Sequence, residues 1–265
     1  MNIESKYEVL KNTVRALKTV LVAYSGGMDS TLLLKTCVDV LGNDHVIAFT
    51  GNAPTFPVKE IEEAKQTASE IGAEYLLCET EILKNQLFVE NTKERCYHCK
   101  KNLLRIAAEV AKEKNMAHIA DGTNFDDTSD FRPGSAAVKE MGVVSPLLKA
   151  ELTKDDIWGL SRMLSLPTQN KPPYACLATR IPYGTPIDAA LLRRIERSEA
   201  LIKSVGISQV RVRYHNNVAR IEVTKSDLDT ILREQKGIVD GLKQYGFTYV
   251  TLDLEGYRTG SMNEI

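Results

Sequence analysis

The stretch YSGGMDS, residues 24–30, decides the fold. It follows an apolar, β-rich run, TVLVAY (19–24), and leads into a helical pattern over 32–41. Gly26 and Gly27 permit backbone conformations and close approaches that a Cβ would block. Successive N–H groups at the start of a helix form a cradle for an anion. Ser25, Ser30 and Thr31 add hydroxyl donors. Asp29 by itself repels phosphate, but it belongs in such a loop where a magnesium ion bridges it to phosphates. A bare Gly-Gly pair would be no more than a capped turn. In the order strand, SGGxDS, helix it reads as a phosphate loop. The alternative pattern, GxxxxGK followed by Ser or Thr, is absent, so this is not an ordinary P-loop.

The pattern continues on both sides of the loop. Before it, Tyr7, Leu10, Val14 and Leu17 recur at helical spacing. After it come a strand (46–51), a helix marked by Val58, Ile61, Ala64, Ala68 and Ile71, a strand (74–80), a helix (103–111) and a strand (118–123). Short apolar strands separated by helices predict an α/β domain with a parallel sheet covered on both faces. Ligands of such sheets bind beyond the carboxyl ends of the strands. A polar loop (124–134) follows, and Thr153 with Asp156 predicts a helix start, with Trp158, Leu160 and Leu164 on one face. The Pro-rich segment 167–184 reads as a linker. Beyond it the order helix (188–205), strand, Asn216-Asn217 turn, strand, helix (226–244), strand predicts a smaller α+β domain. The expected division is 1–175 and 176–265.

With 265 residues, 43% hydrophobic, the chain can bury a substantial core. Its 34 basic and 35 acidic side chains leave a net charge of −1, which does not favour a nucleic-acid partner. No apolar run approaches roughly 18 residues, so no membrane span is expected. The N-terminus lacks the apolar core of a secretory signal, and five cysteines make an odd count. Both point to a reducing, cytoplasmic setting without a disulfide framework.

Two of those cysteines stand in RCYHCK (95–100). Alone, Cys96 and Cys99 could form a redox dithiol, half a zinc site or part of an iron–sulfur site. His98 lies between them as a further potential ligand. Cys37 and Cys78 fall in apolar patterns and read as packed small hydrophobes.

The loop resembles the signature of the PP-loop ATP pyrophosphatase superfamily, which includes NAD, GMP and asparagine synthetases and several tRNA-thiolation enzymes. The resemblance implies ATP cleavage between the α- and β-phosphates and adenylylation of a substrate oxygen. It implies nucleotide contacts from Ala23, Ser25, Gly26, Gly27, Asp29, Ser30 and Thr31, from Thr50 near the end of the second strand, and from Gly122 and Thr123. Further stretches resemble the LarE family of sulfur transferases: RCYHCK, GTNFDDTSDFRPG (122–134), ACLATRIPYGTPI (175–187), VRVRYHNNVARIEV (210–223) and YVTLDLEGYRTGSMN (249–263). This likeness covers nearly the whole chain.

The LarE resemblance implies an ATP- and magnesium-dependent enzyme that adenylylates a carboxylate of pyridinium-3,5-biscarboxylic acid mononucleotide. Sulfur then replaces the activated oxygen, on the way to a nickel-pincer nucleotide cofactor. Family members use either one sacrificial cysteine or three cysteines holding a 4Fe–4S cluster, whose fourth iron carries an extra sulfide. Cys176 matches the donor position, and Cys96 and Cys99 are the additional pair. Three thiolates leave one iron of a cubane open, so the cluster version, fed by a sulfide source, is the expectation. A tRNA thiolase and a non-catalytic zinc- or redox-responsive nucleotide-binding protein are the alternatives. A trimer or hexamer of identical chains is also implied.

The expected substrate is anionic, so cations should gather near it. Arg180 and the alternating pair Arg211 and Arg213 are candidates for its phosphate or carboxylates, with Thr179 as a hydrogen-bond donor and Arg132 as a further cation. Without the likeness, alternating arginines would read as a solvated strand face. Lys100 could neutralise charge developing on the adenylate. Asp121, Asp126, Asp127 and Asp130 could hold a metal, with Asp126 a second candidate for magnesium, although acidic loops are ordinarily just solvated. Glu199, on an otherwise exposed helix, could line the same site or a subunit contact.

Overall fold

Apolar runs of four to seven residues alternate with amphipathic helices through the first part of the chain, and they build a layered α/β unit. The computed structural model describes residues 2–128, 133–172, 175–258 and 260–263; Asp130 and Arg132 lie outside them. The elements of the first unit are α1 (Ile3–Arg15), β1 (Val20–Ala23), α2 (Met28–Leu41), β2 (Val46–Asn52), α3 (Val58–Ile71) and β3 (Glu74–Glu79). After a short helix, α4 (Gln86–Val89), come α5 (Arg95–Glu113), β4 (His118–Asp121), α6 (Gly134–Glu140), α7 (Pro146–Lys149) and α8 (Lys154–Met163). The four strands form a parallel sheet in the order β3-β2-β1-β4.

The sheet is apolar on both faces because successive side chains point to opposite sides. Val20 and Val22 of β1 pack with Leu10 and Val14 of α1, Leu33 and Cys37 of α2 and Leu160 of α8. Leu21, between them, faces the other way with Ile47 and Phe49 of β2 and Ala107 and Ala111 of α5. In register, Ala23 lies beside Phe49 on one side and Asp121 on the other, so three strand ends converge where the SGGMDS loop begins.

Residues 86–92, which the sequence places within the first domain, belong to the second compact unit with 175–265. The cause is hydrogen bonding. Buried Asn91 donates from Nδ2 to the Pro182 and Thr185 carbonyls at 2.8 and 2.9 Å, and Val89 O accepts from Ile187 N at 2.9 Å. This unit contains α9 (Ala189–Ser204), β5 (Val210–His215), β6 (Val218–Val223), α10 (Leu228–Arg233), α11 (Gln235–Gln244) and β7 (Tyr249–Leu252). Its sheet order is β5-β6-β7, with an antiparallel hairpin and a parallel third strand. Asn216 and Asn217 both have positive φ, 48° and 70°, as a two-residue hairpin turn of this kind requires.

Thr153 caps α8 in a capping box. Its hydroxyl accepts from Asp156 N at 3.2 Å, and Asp156 Oδ2 accepts from Thr153 N at 3.0 Å. Replacing Thr153 by alanine should cost ~1 kcal/mol, read as a lower urea midpoint. Trp158 departs from the expected shared face. It is exposed while Leu160 is buried, because residues two apart point to different sides of a helix. The Arg162 guanidinium covers its ring at 4.7 Å from the centroid.

Candidate functional site

In the first unit the site is built around residues 25–30. Gly26 adopts φ +70°, and a Cβ there would meet the Ala64 Cβ of α3 at 2.7 Å. Glycine is therefore required twice, by conformation and by space. Gly27 is the N-cap of α2 and supplies no side-chain oxygen, so none competes for the first-turn N–H groups. Those groups and the helix dipole are the anion cradle. Ser25 Oγ and Ser30 Oγ lie 3.1 Å apart, and Ser30 Oγ donates to Gly27 O at 3.2 Å, which ties the loop to the helix.

Thr31 and Thr50 stand behind the loop. Thr31 Oγ1 lies 3.3 Å from Tyr24 Oη, and Thr50 Oγ1 donates to Tyr24 O at 2.8 Å. Both hydroxyls thus hold the end of β1 in place. Burial pushes the Tyr24 phenol above its ordinary pKa, so it stays a neutral hydrogen-bonding group.

The end of β4 closes the other side. A Cβ on Gly122 would sit 3.0 Å from Ser30 N and 3.2 Å from Ser30 Cα, so only glycine lets this strand end lie against the start of α2. Asn124, fully buried, donates from Nδ2 to Asp29 Oδ2 at 3.1 Å, and so orients the loop carboxylate. Sequence reading missed Asn124, since it stands in a loop whose acidic neighbours dominate. Asp29 beside the anion cradle gives the hard oxygen donor that magnesium takes, and so fits that ion. Asp126 is occupied differently: its Oδ2 accepts from Lys154 N at 2.7 Å, which ties this loop to the first turn of α8.

Lys171 was also missed. Its ammonium bridges Glu60 and Glu63 of α3 at 2.8 and 3.0 Å. Burial alone would lower its pKa; the two carboxylates overcome that and raise it.

RCYHCK forms the first two turns of α5 instead of preceding a helix. Cys96 and Cys99 are three residues apart on that helix and share a face, whereas His98 lies off it. Cys96 is exposed and Cys99 half-buried; neither is in a disulfide. Two thiols on one helix face suit a pair of soft-metal ligands. Among the described residues no group of three or more His, Cys, Asp or Glu side chains is gathered for a metal ion. Lys100, next in sequence, lies 3.2 Å from Asp121. Cys37 is fully buried and Cys78 packs partly against the apolar layer, and burial raises both thiol pKa values.

In the second unit Cys176 precedes a 3₁₀ turn over Leu177–Arg180. Its carbonyl accepts from Thr179 N at 2.9 Å, Thr179 Oγ1 at 2.8 Å and Arg180 Nη1 at 3.1 Å. Arg180 is fully buried, and its fork meets Glu199 through Nε at 2.8 Å and Nη2 at 3.0 Å. Its donors are engaged by the protein, and they fix the backbone at Cys176. Glu199 is likewise buried, and it also caps the edge of β5 by accepting from Val212 N at 3.0 Å.

Arg211 and Arg213 share one face of β5, opposite Val210 and Val212, which enter the core. That face is buried, contrary to the usual solvated strand. Arg213 pairs with Glu222 at 2.7 Å and donates to Ser261 Oγ at 3.1 Å. Arg211 lies over the Tyr257 ring, 5.3 Å from its centroid. Burial, and then the charge of Arg180, hold its guanidinium below its ordinary pKa. His215 continues the row, and burial followed by Arg220 and Arg213 depresses its imidazole. Buried Glu199 and Glu222 offset the charges of Arg180 and Arg213 in this layer.

No helix among the described residues is long and apolar enough to cross a membrane.

Residues 2–181 match the NAD synthase family. A pyridinium-3,5-bisthiocarboxylic acid mononucleotide synthase of Lactiplantibacillus plantarum is 35% identical over 262 residues, covering 99% of this chain and 95% of that protein. An uncharacterized protein of Synechocystis sp. is 38% identical over 265 residues, covering 99% of this chain and 98% of its own. An ammonia-dependent NAD synthetase of Methanococcus aeolicus is 27% identical over 206 residues, or 67% of this chain and 74% of that one. The likeness to the synthetase stops short of full length, whereas the likeness to the thiocarboxylate synthase runs through both units. The chain belongs to the LarE family of ATP-dependent sulfurtransferases, built on a PP-loop domain of the NAD synthase type.

Proposed function

We propose that the chain adenylylates a carboxylate of pyridinium-3,5-biscarboxylic acid mononucleotide and replaces the activated oxygen by sulfur. The observation that carries this is the glycine-forced SGGMDS loop in a chain that matches a pyridinium thiocarboxylate synthase over nearly all its length. The loop and the N–H groups of α2 hold the β- and γ-phosphates, and Asp29 would hold magnesium. A carboxylate oxygen of the substrate attacks the α-phosphorus and pyrophosphate leaves. Sulfide then attacks the acyl carbon and AMP leaves, so the thiocarboxylate carries the new C–S bond and AMP carries the former carboxylate oxygen.

Arg211 and Arg213 attract the substrate's anionic groups, while Thr179 and Arg180 fix Cys176. Cys96, Cys99 and Cys176 are the residues that would hold a 4Fe–4S cluster; the thiol chemistry of the helix pair and the family likeness support this. When bound, the cluster supplies a renewable point of sulfur delivery. The likeness further supports a homo-oligomer, trimer or hexamer, and a cytoplasmic, reducing setting.

The test is anaerobic incubation with ATP, magnesium, sulfide and the pyridinium dicarboxylate mononucleotide. Equal amounts of AMP and pyrophosphate, with a thiocarboxylate product by mass, are expected. ATP left intact in the presence of that substrate would refute the assignment.

A further inference from the structure

We infer that Asp121 is a positioning residue that aims the Lys100 ammonium at the nucleotide loop; this rests on the ATP-binding part of the functional reading. Asp121 ends β4 and is 3% exposed. Its carboxylate is held from several sides. Oδ1 accepts from Ser145 Oγ at 2.7 Å and from Thr123 N at 3.4 Å, and Oδ2 accepts from Thr123 Oγ1 at 2.9 Å. Lys100 Nζ lies 3.2 Å from Oδ2. A buried carboxylate needs a compensating cation, and Lys100 supplies it.

The next residue, Gly122, rests against the backbone of Ser30, so the carboxylate has a fixed place relative to the start of α2. Lys100 reaches it from the first two turns of α5, which also carry Cys96 and Cys99.

A polyphosphate site makes this carboxylate paradoxical, since a negative charge near the phosphates repels them. The paradox resolves if its work is done through Lys100. A lysine is a flexible point charge whose stem loses much rotamer freedom when fixed. Asp121 fixes it before nucleotide arrives, so binding loses less freedom. Ser145 and Thr123 then serve to hold the carboxylate that holds the lysine.

The two roles differ in sign. If Asp121 acted only as a charge, Asp121→Asn would leave nucleotide binding unchanged or tighten it. Positioning predicts that it weakens. The test is the affinity for α,β-methylene-ATP with magnesium, by calorimetry, in a double-mutant cycle. Lys100→Met should weaken binding about tenfold and Asp121→Asn about threefold to fivefold, with the double variant within about twofold of Lys100→Met. An Asp121→Asn protein that binds as tightly as wild type or tighter overturns the inference, as does a double variant whose loss is the product of the two.

If Asp121→Asn does not fold, Ser145→Ala carries the test, because it keeps both charges and loosens the carboxylate. Binding weakened by about threefold or more is then expected, and unchanged binding overturns the inference. The readout uses only a nucleotide analogue. Coupling without thiocarboxylate formation by the wild type would therefore refute the sulfur-transfer reading alone.

Discussion

Replacing Arg180 by alanine should destabilise the second unit by about 3–5 kcal/mol, the cost of leaving a buried carboxylate without its partner. Arg180 and Glu199 are among the most deeply buried charges in the chain, at 0% and 4% exposure. Their two-point contact at 2.8 and 3.0 Å is the geometry in which removal of one member is most costly. Hydrogen exchange at the Val212 amide, which donates to Glu199, reads the loss locally.

The control is Arg180→Met with Glu199→Leu, which replaces both charges by apolar side chains. It should recover most of the stability, since a buried ion pair is often no better than a well-packed apolar pair. It should not recover sulfur transfer, because the bonds from Arg180 Nη1 to the Ala175 and Cys176 carbonyls are still missing. Stability regained with activity absent is the signature of a residue that positions Cys176. Recovery of both would contradict that role.

The second large effect falls on the loop. Gly26→Ala should lower substrate-dependent pyrophosphate release on the order of 100-fold, the scale of a misplacement near 1 Å at a reacting centre. Two causes combine. A non-glycine residue at φ +70° costs roughly 1–2 kcal/mol, and the new Cβ would press on the Ala64 Cβ at 2.7 Å, displacing the loop from α3. They can be separated. Adding Ala64→Gly removes the clash and leaves the conformational strain, so it should restore part of the rate. Full restoration would mean that φ at residue 26 is unimportant; none would mean that crowding is.

These residues also show where sequence is informative. The parallel sheet could be read from its short apolar runs, and the Asn216-Asn217 hairpin from two residues that tolerate positive φ. The loop was visible because its glycines and hydroxyls stand between a strand and a helix start, an order that shows in the local sequence.

The RCYHCK turn was harder. α5 starts at Arg95, but its first turn is polar and Glu94 makes no side-chain cap, so neither periodicity nor capping marks the start. The helix over 226–244 is broken between Arg233 and Gln235, where one amphipathic pattern spans two short helices.

The buried arginine face was not readable at all from its strand, because alternating arginines ordinarily face water. Its partners explain the burial. Glu222 comes from the neighbouring strand, Thr179 from the 3₁₀ turn, and Tyr257 and Ser261 from beyond β7. Pairings set by tertiary structure leave no local pattern. The same holds for Asn124 with Asp29 and for Lys171 with Glu60, each joining distant parts of the first unit.

The most direct measurement is the number of sulfur atoms transferred per chain under anaerobic conditions, with iron and sulfide determined on the same samples of wild type and Cys96→Ala. The account predicts iron and sulfide in the wild type, more than one thiocarboxylate formed per chain when sulfide is supplied, and loss of all of these in Cys96→Ala. Transfer that stops at one sulfur, with Cys176 converted to dehydroalanine and Cys96→Ala unaffected, would contradict it.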